Sequence, residues 1–180
     1  KRQVQKIQGV YVPFWMFDGE AEGDARYAAT RSHTYRSGDY EITETEHYDV
    51  YRAGWIAFEK IPADASSKMP DDHMDSIEPY DYQELKPFST AYLPGFLADK
   101  FDVTVDQCRQ RADQRCEGTL SATLRATVTG YGTCTLVNET VSLKRGKVHY
   151  ALMPVWMLNT KWKGKDFLFA MIGQTGKLVG

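Results

Sequence analysis

The chain has 180 residues, 42% of them hydrophobic, which is enough to bury a core and short enough for one domain. Its 22 basic and 24 acidic residues leave a formal net charge of -2, which excludes a global field that would draw nucleic acid or an anionic membrane. No run approaches the ~20 apolar residues of a spanning helix and no signal-peptide core opens the chain, so it reads as soluble; its start without Met and its abrupt end at Gly180 read as a fragment of a longer protein.

In chain order, GVYVPFWMF (9–17) is an apolar, aromatic run that predicts a buried strand, with Pro13 at an edge or a bulge because it cannot donate to a ladder. DGEAEGD reads as a turn. ARYAATRSHTYR and DYEITETEHYDVYR, joined at Ser37 and Gly38, alternate as antiparallel strands with one wet face do, and Ala53-Gly54 turns the chain into WIAFEKIP. Residues 7–61 are thus expected to form a β-meander. The middle, 66–129, is expected to be helical. Pro70, Pro79, Pro87 and Pro94 leave room only for short turns in its first half. Thr104 with Gln107 then forms a capping box for a longer helix whose core stripe is Val105, Cys108, Ala112, Cys116, Leu120 and Leu124. From 131 to 180 the pattern returns to strands, TCTLVNETVSL, KVHYALMPVWML and DFLFAMI, with KRG and KWKGK as turns.

The last third echoes the first. YVPFWMF (11–17) aligns with LMPVWML (152–158), so that Pro13 matches Pro154 and Trp15 matches Trp156, and Gly23 then falls opposite Gly164. The fold class expected is therefore α+β: a single domain with antiparallel sheet from its N- and C-terminal thirds, two related β units, and a helical segment between them.

Chemistry is sparse. GQTGK (173–177) resembles a phosphate loop, but its two glycines are three residues apart where five are needed, and Leu178 stands where a hydroxyl would bind magnesium. A hairpin turn with Gly176 at positive φ is the better account. Asp71, Asp72, His73 and Asp75 crowd together after Pro70; they suit a helix N-terminus, and as a dispersed polar site they are the residues an enzymatic reading would use. Cys108, Cys116 and Cys134 form no C-x-x-C pair, and an odd count suits a reducing cytosol. The chain carries no nucleophile motif, and the expectation is a protein that is not an enzyme. Tyr11, Trp15, Tyr27, Tyr40 and Tyr48 are a candidate aromatic binding face. Arg109, Arg111, Arg115, Lys161, Lys163 and Lys165 are candidate phosphate contacts should the partner be a nucleic acid.

GVYVPFWMFD, PADASSKMPDDHMDSIEPYDYQELKPFSTAYLPGFLADKFDV and KVHYALMPVWMLNTKWKGKDFLFAMIGQTGKLVG together resemble the central domain of bacterial TFIIB-type zinc-ribbon-containing proteins, over nearly the whole chain. The resemblance implies a short cysteine-rich zinc ribbon before this domain and hydrophobic membrane segments after the GQTGK hairpin. Zinc is then expected in that ribbon and no cofactor in this chain, with the longer protein at the cytoplasmic face of the membrane. Members of the family bear helicase or DNA-binding labels, which conflict with the lack of nucleotide-binding motifs here. It brings no catalytic residue to any position of this chain. The reading favoured is a non-enzymatic binding or scaffold module with a protein partner, the alternative a nucleic-acid-binding accessory domain.

Overall fold

The computed structural model describes residues 3–76, 78–162 and 165–179. Its elements are β1 (Gln3–Ser37), β2 (Tyr40–Asp64), α1 (Asp71–Ser76), β3 (Phe96–Ala98), α2 (Val105–Ala126), β4 (Thr133–Trp162), β5 (Lys165–Ile172) and β6 (Leu178–Val179), with single 3-10 turns at Tyr82–Glu84 and Thr90–Tyr92. A six-stranded sheet runs β2-β1-β4-β5-β6, and β3 pairs in parallel with β1 from Gly9 opposite Phe96 to Tyr11 opposite Ala98. β4 and β5 are antiparallel from Val155 opposite Ile172 to Trp162 opposite Lys165, and β5 pairs β6 through Ala170 with Val179 and Met171 with Leu178.

This corrects the α+β expectation: strand makes up 58% and helix 20%, with one main helix, so the protein is mostly antiparallel β-sheet. The expected meander of several short strands is two long ones, and both DGEAEGD and KRG lie inside strands. Their glycines serve close approach. A Cβ on Gly23 would stand 2.4 Å from the Thr140 carbonyl oxygen, and one on Gly146 would stand 2.9 Å from that of Asp18. Glycine at these positions lets β1 and β4 run backbone against backbone, a use of glycine within strands that resembles a turn signal in the sequence. The helical middle shrinks too. Before α2 its described residues hold six-residue α1, two three-residue turns and β3, since the four prolines interrupt any longer helix. Lys163 and Gly164, the centre of the expected KWKGK turn and the partner of Gly23 in the echo, lie outside the described residues.

Contacts divide the chain into two compact units. The first comprises Lys1–Phe17, Glu59–Ala112 and Lys147–Gly180, the second Asp18–Phe58 and Asp113–Gly146. In the first, β1 is buried on both faces. Val10, Val12, Phe14 and Met16 join Met74, Tyr80, Met153, Val155, Met157 and Ile172 in one core cluster. Phe17, with Trp15 packed alongside, joins Ala63, Ala65, Cys108 and Ala112 in another. A strand covered on both faces has no polar alternation, which accounts for the unbroken apolar run 9–17. Each fully buried Val, Phe or Met there contributes about 1.5–3 kcal/mol.

The echo acquires a physical meaning in this unit. The Pro13 carbonyl accepts from Ala65 N at 2.8 Å, just past the end of β2, and the Tyr11 carbonyl accepts from Asp99 N at 3.0 Å, just past β3. Pro13 thus sits where the neighbour of β1 changes, and no N–H is required there. Pro154 repeats the arrangement: its carbonyl accepts from Gly173 N at 2.8 Å, one residue beyond the end of β5. Pro13 is therefore tolerated within an internal strand, since the ladder on that side has a seam.

In the second unit α2 packs on the sheet through Leu120, which reaches within 3.2 Å of a Cβ placed on Gly23, and Leu124, 3.5 Å from one on Gly54. Tyr27, Ala21, Ala25, Ala29 and Val50 are buried with them. β1 and β2 continue past this core as a hairpin whose residues 31–47 are all exposed. Hydroxyl pairs tie its strands, Ser32 to Thr45 at 3.0 Å and Thr34 to Thr43 at 2.9 Å, and Gly38 at φ +62 takes the first turn position.

Candidate binding site

The expected capping box starts α2: Thr104 N donates to Gln107 Oε1 at 2.9 Å, and Gln107 N donates to Thr104 Oγ1 at 3.4 Å. The helix then directs its residues as the stripe predicts, with Cys108, Ala112, Leu120 and Leu124 buried, and Val105 and Cys116 partly so. The Cys108 thiol donates to the Asp64 carbonyl, and burial pushes the Cys116 thiol up. Among the described residues no three of His, Cys, Asp or Glu come close enough to hold a metal ion.

The candidate aromatic face is not brought together. Tyr27 is 1% exposed, in the core of the second unit, where burial pushes its phenol up. Tyr40, 77% exposed, stands on the hairpin, and Tyr48 packs on Tyr131 at 5.1 Å with the Arg31 guanidinium 5.7 Å from both rings. Trp15 is tied into the first unit: its Nε1 donates to the Val103 carbonyl at 3.2 Å, and its ring meets Phe101 and Tyr150. Tyr11 rests on Phe96 at 4.9 Å and its hydroxyl donates to the Tyr92 carbonyl.

Among the described residues the candidate phosphate contacts form no basic stripe either. Arg109 lies over the Phe17 ring at 5.3 Å. Arg111 spans two carboxylates, Asp64 at 3.0 Å and Asp75 at 3.1 Å, so a phosphate would have to displace both. Arg115 is half-buried on α2, Lys165 is exposed at the start of β5, and the side chain of Lys161 and all of Lys163 lie outside the described residues. In α1, Asp72 is exposed, Asp75 is engaged by Arg111, and His73 Nδ1 is buried without a hydrogen-bond partner, while the Asp71 side chain is outside the described residues. His73 N and Met74 N donate to the Pro70 carbonyl, which is the helix-start role expected of this stretch.

The first unit instead holds a cavity of about 940 Å3. Its floor and inner wall are Tyr11, Met16, Tyr80 and the β4 run His149, Tyr150, Ala151, Leu152, Met153 and Pro154. Its outer wall is the proline-bounded segment after α1, which contributes Asp81, Glu84, Leu85, Lys86, Phe88, Tyr92 and Leu93, with Lys60 and Gln174 completing the rim. Leu85, Phe88 and Tyr92 are 38%, 66% and 49% exposed. Tyr80 is buried, with a ring edge on Phe14 at 6.0 Å; its hydroxyl finds no hydrogen-bond partner and burial raises its phenol far above the ordinary value. Lys60 adopts φ +53 inside β2. Beyond it residues 62–66 are all buried, with Ile61, Ala63 and Ala65 in the cluster that holds Cys108 and Ala112.

Most of these residues escaped the sequence pattern. Tyr80, Leu85, Phe88, Tyr92 and Leu93 recur at no fixed period, and between prolines neither a helical nor a strand template finds them. The available signal was a long segment, rich in large apolar residues, with little room for secondary structure, which in a compact domain is often a binding element. Among the described candidate residues, Tyr11 alone lines the cavity.

Comparison with known proteins adds one relative. A protein of Bacillus subtilis (strain 168) named "Uncharacterized protein YdjG" is 41% identical over 178 residues, 99% of this chain and 52% of that protein. The chain thus spans about half the length of the curated relative it matches. No family model and no solved structure matches the chain. Among the described residues no helix is long and apolar enough to cross a membrane.

Proposed function

We propose that this chain is a binding module and that the cavity of its first unit receives a segment of a partner protein. The observation that carries the reading is the cavity's construction. A volume of about 940 Å3 is at the upper end for ligand sites and accommodates several side chains. Its wall presents Leu85, Phe88 and Tyr92 partly to solvent, so that a guest would bury them. The lining carries both signs, Lys60 and Lys86 with Asp81 and Glu84, which suits a polypeptide of mixed charge better than a ligand of one sign. In the longer protein this module would work beside the zinc ribbon implied by the sequence resemblance.

The test is a selection of displayed random short peptides on the immobilised chain. Enriched peptides should share two or more large apolar side chains and bind at about 1–100 μM. Phe88→Asp, at an exposed position, should weaken that binding about tenfold or more, while Tyr40→Asp on the hairpin of the second unit leaves it unchanged. Absence of enrichment, or binding indifferent to Phe88→Asp, overturns the reading.

A further inference from the structure

The GQTGK turn has a use beyond joining two strands. It is itself rigidly seated: Gly173 N donates to the Pro154 carbonyl at 2.8 Å, Gly176 N to the Ile172 carbonyl at 2.9 Å and Ile172 N to the Lys177 carbonyl at 3.0 Å. From this post two side chains reach across to the segment that walls the cavity. Gln174 Oε1 accepts from Asp81 N at 2.8 Å, while its Nε2 donates to the Asp81 carbonyl at 3.1 Å and to Glu84 Oε2 at 2.6 Å. Lys177 Nζ donates to the Glu78 carbonyl. Beyond these anchors the described hydrogen bonds of residues 85–91 stay within the segment, and the next tie is Tyr11 donating to the Tyr92 carbonyl.

We propose that residues 81–93 are a strap over the cavity and that Gln174 is the latch that holds it, making Gln174 a positioning residue of the binding site. The amide is what the arrangement requires, since one side chain must accept from a backbone N–H and donate to a backbone carbonyl and a carboxylate. Release of the latch frees the strap beyond Tyr82 without disturbing Tyr80, which is buried in the core at the strap's root, or Tyr82, which packs on that core with its ring 6.4 Å from that of Tyr80. The use of the strap rests on the cavity being the site; the latch does not, because it is read without any guest.

Hydrogen exchange of the free protein, expressed as protection factors, tests it. Gln174→Ala should lower protection in 81–93 about tenfold, as expected for the loss of one or two net hydrogen bonds, with α2 and β4 unchanged. Gln174→Glu should do the same at neutral pH, where the new carboxylate faces Glu84 and cannot donate to the Asp81 carbonyl. It should recover in part below about pH 4, where a protonated carboxyl offers one O–H donor in place of the two N–H donors of the amide. The charged group in contact with that position is Glu84 on the strap; the Asp81 carboxylate accepts from Gln83 N and Lys177 Nζ donates to the Glu78 carbonyl, while Lys60, Lys86 and His149 line the same cavity as Gln174. Unchanged protection in 81–93, equal loss throughout the protein, or a Gln174→Glu effect that ignores pH overturns the latch. Should peptide selection fail, exchange still decides it. Should selection succeed, the selected peptide must associate at a different rate with Gln174→Ala than with the parent, and an identical rate overturns the strap's role in entry.

Discussion

Replacing Arg111 separates a structural from a nucleic-acid-binding role. The Asp64 side chain is 1% exposed, and Arg111, 31% exposed, joins it at 3.0 Å and Asp75, 46% exposed, at 3.1 Å. Arg111→Ala leaves the buried Asp64 carboxylate without its guanidinium, a class of change that costs about 3–5 kcal/mol. Asp75→Ala removes only the half-exposed arm of the bridge and should cost about 1 kcal/mol or less. Asp64→Asn keeps the volume and leaves Arg111 its second carboxylate, which places it between the two. The double variant Arg111→Met with Asp64→Asn should recover part of the single losses, because both charges of the pair are then removed together. Urea unfolding of the four variants, read as shifts in midpoint at constant slope, checks the order. An Arg111→Ala cost below about 1 kcal/mol, equal to that of Asp75→Ala, would refute the bridge as a structural tie and return Arg111 to the pool of surface cations.

Gly23→Ala should destabilise by about 2 kcal/mol or more and expose β4 to exchange, because the added methyl would meet the Thr140 carbonyl at 2.4 Å with Leu120 and Val141 behind it; an unchanged melting temperature contradicts the close approach of β1 and β4. Asp99 carries a pH dependence. Burial alone would raise its carboxyl, but hydrogen bonds from Lys68 and Ser66 outweigh this and hold it below the ordinary carboxylate range. The stability it contributes is therefore present above about pH 4 and is lost as pH falls through the depressed value, so Asp99→Asn should flatten the acid limb of a stability–pH curve. A parallel curve for the variant would remove Asp99 from that limb.

Legibility in the sequence followed the locality of each signal. The capping box Thr104–Gln107 and the stripe Cys108, Ala112, Leu120, Leu124 involve neighbours on one helix, and the structure shows both. Gly176, at φ +73 beside the β5 and β6 pairing, was likewise readable as a hairpin turn from a few residues. Gly23 and Gly146 were misread because the reason for each is a carbonyl more than a hundred residues away in the chain, which no local pattern reports. The proline echo was visible at 13 and 154, but its cause, the end of a neighbouring strand, depends on Ala65 and Gly173. The cavity was the least legible feature, since its outer wall is aperiodic and is held in place by Gln174, some 90 residues further along the chain.

The cavity of the first unit is the proposed seat of a partner segment. Methyl and amide resonance shifts on adding a selected peptide to the labelled chain test it most directly. Shifts should gather on Met16, Leu85, Leu93, Leu152 and Met153, with Trp55 and Leu136 of the second unit unmoved. Shifts centred on the second unit, with the cavity methyls still, would contradict it.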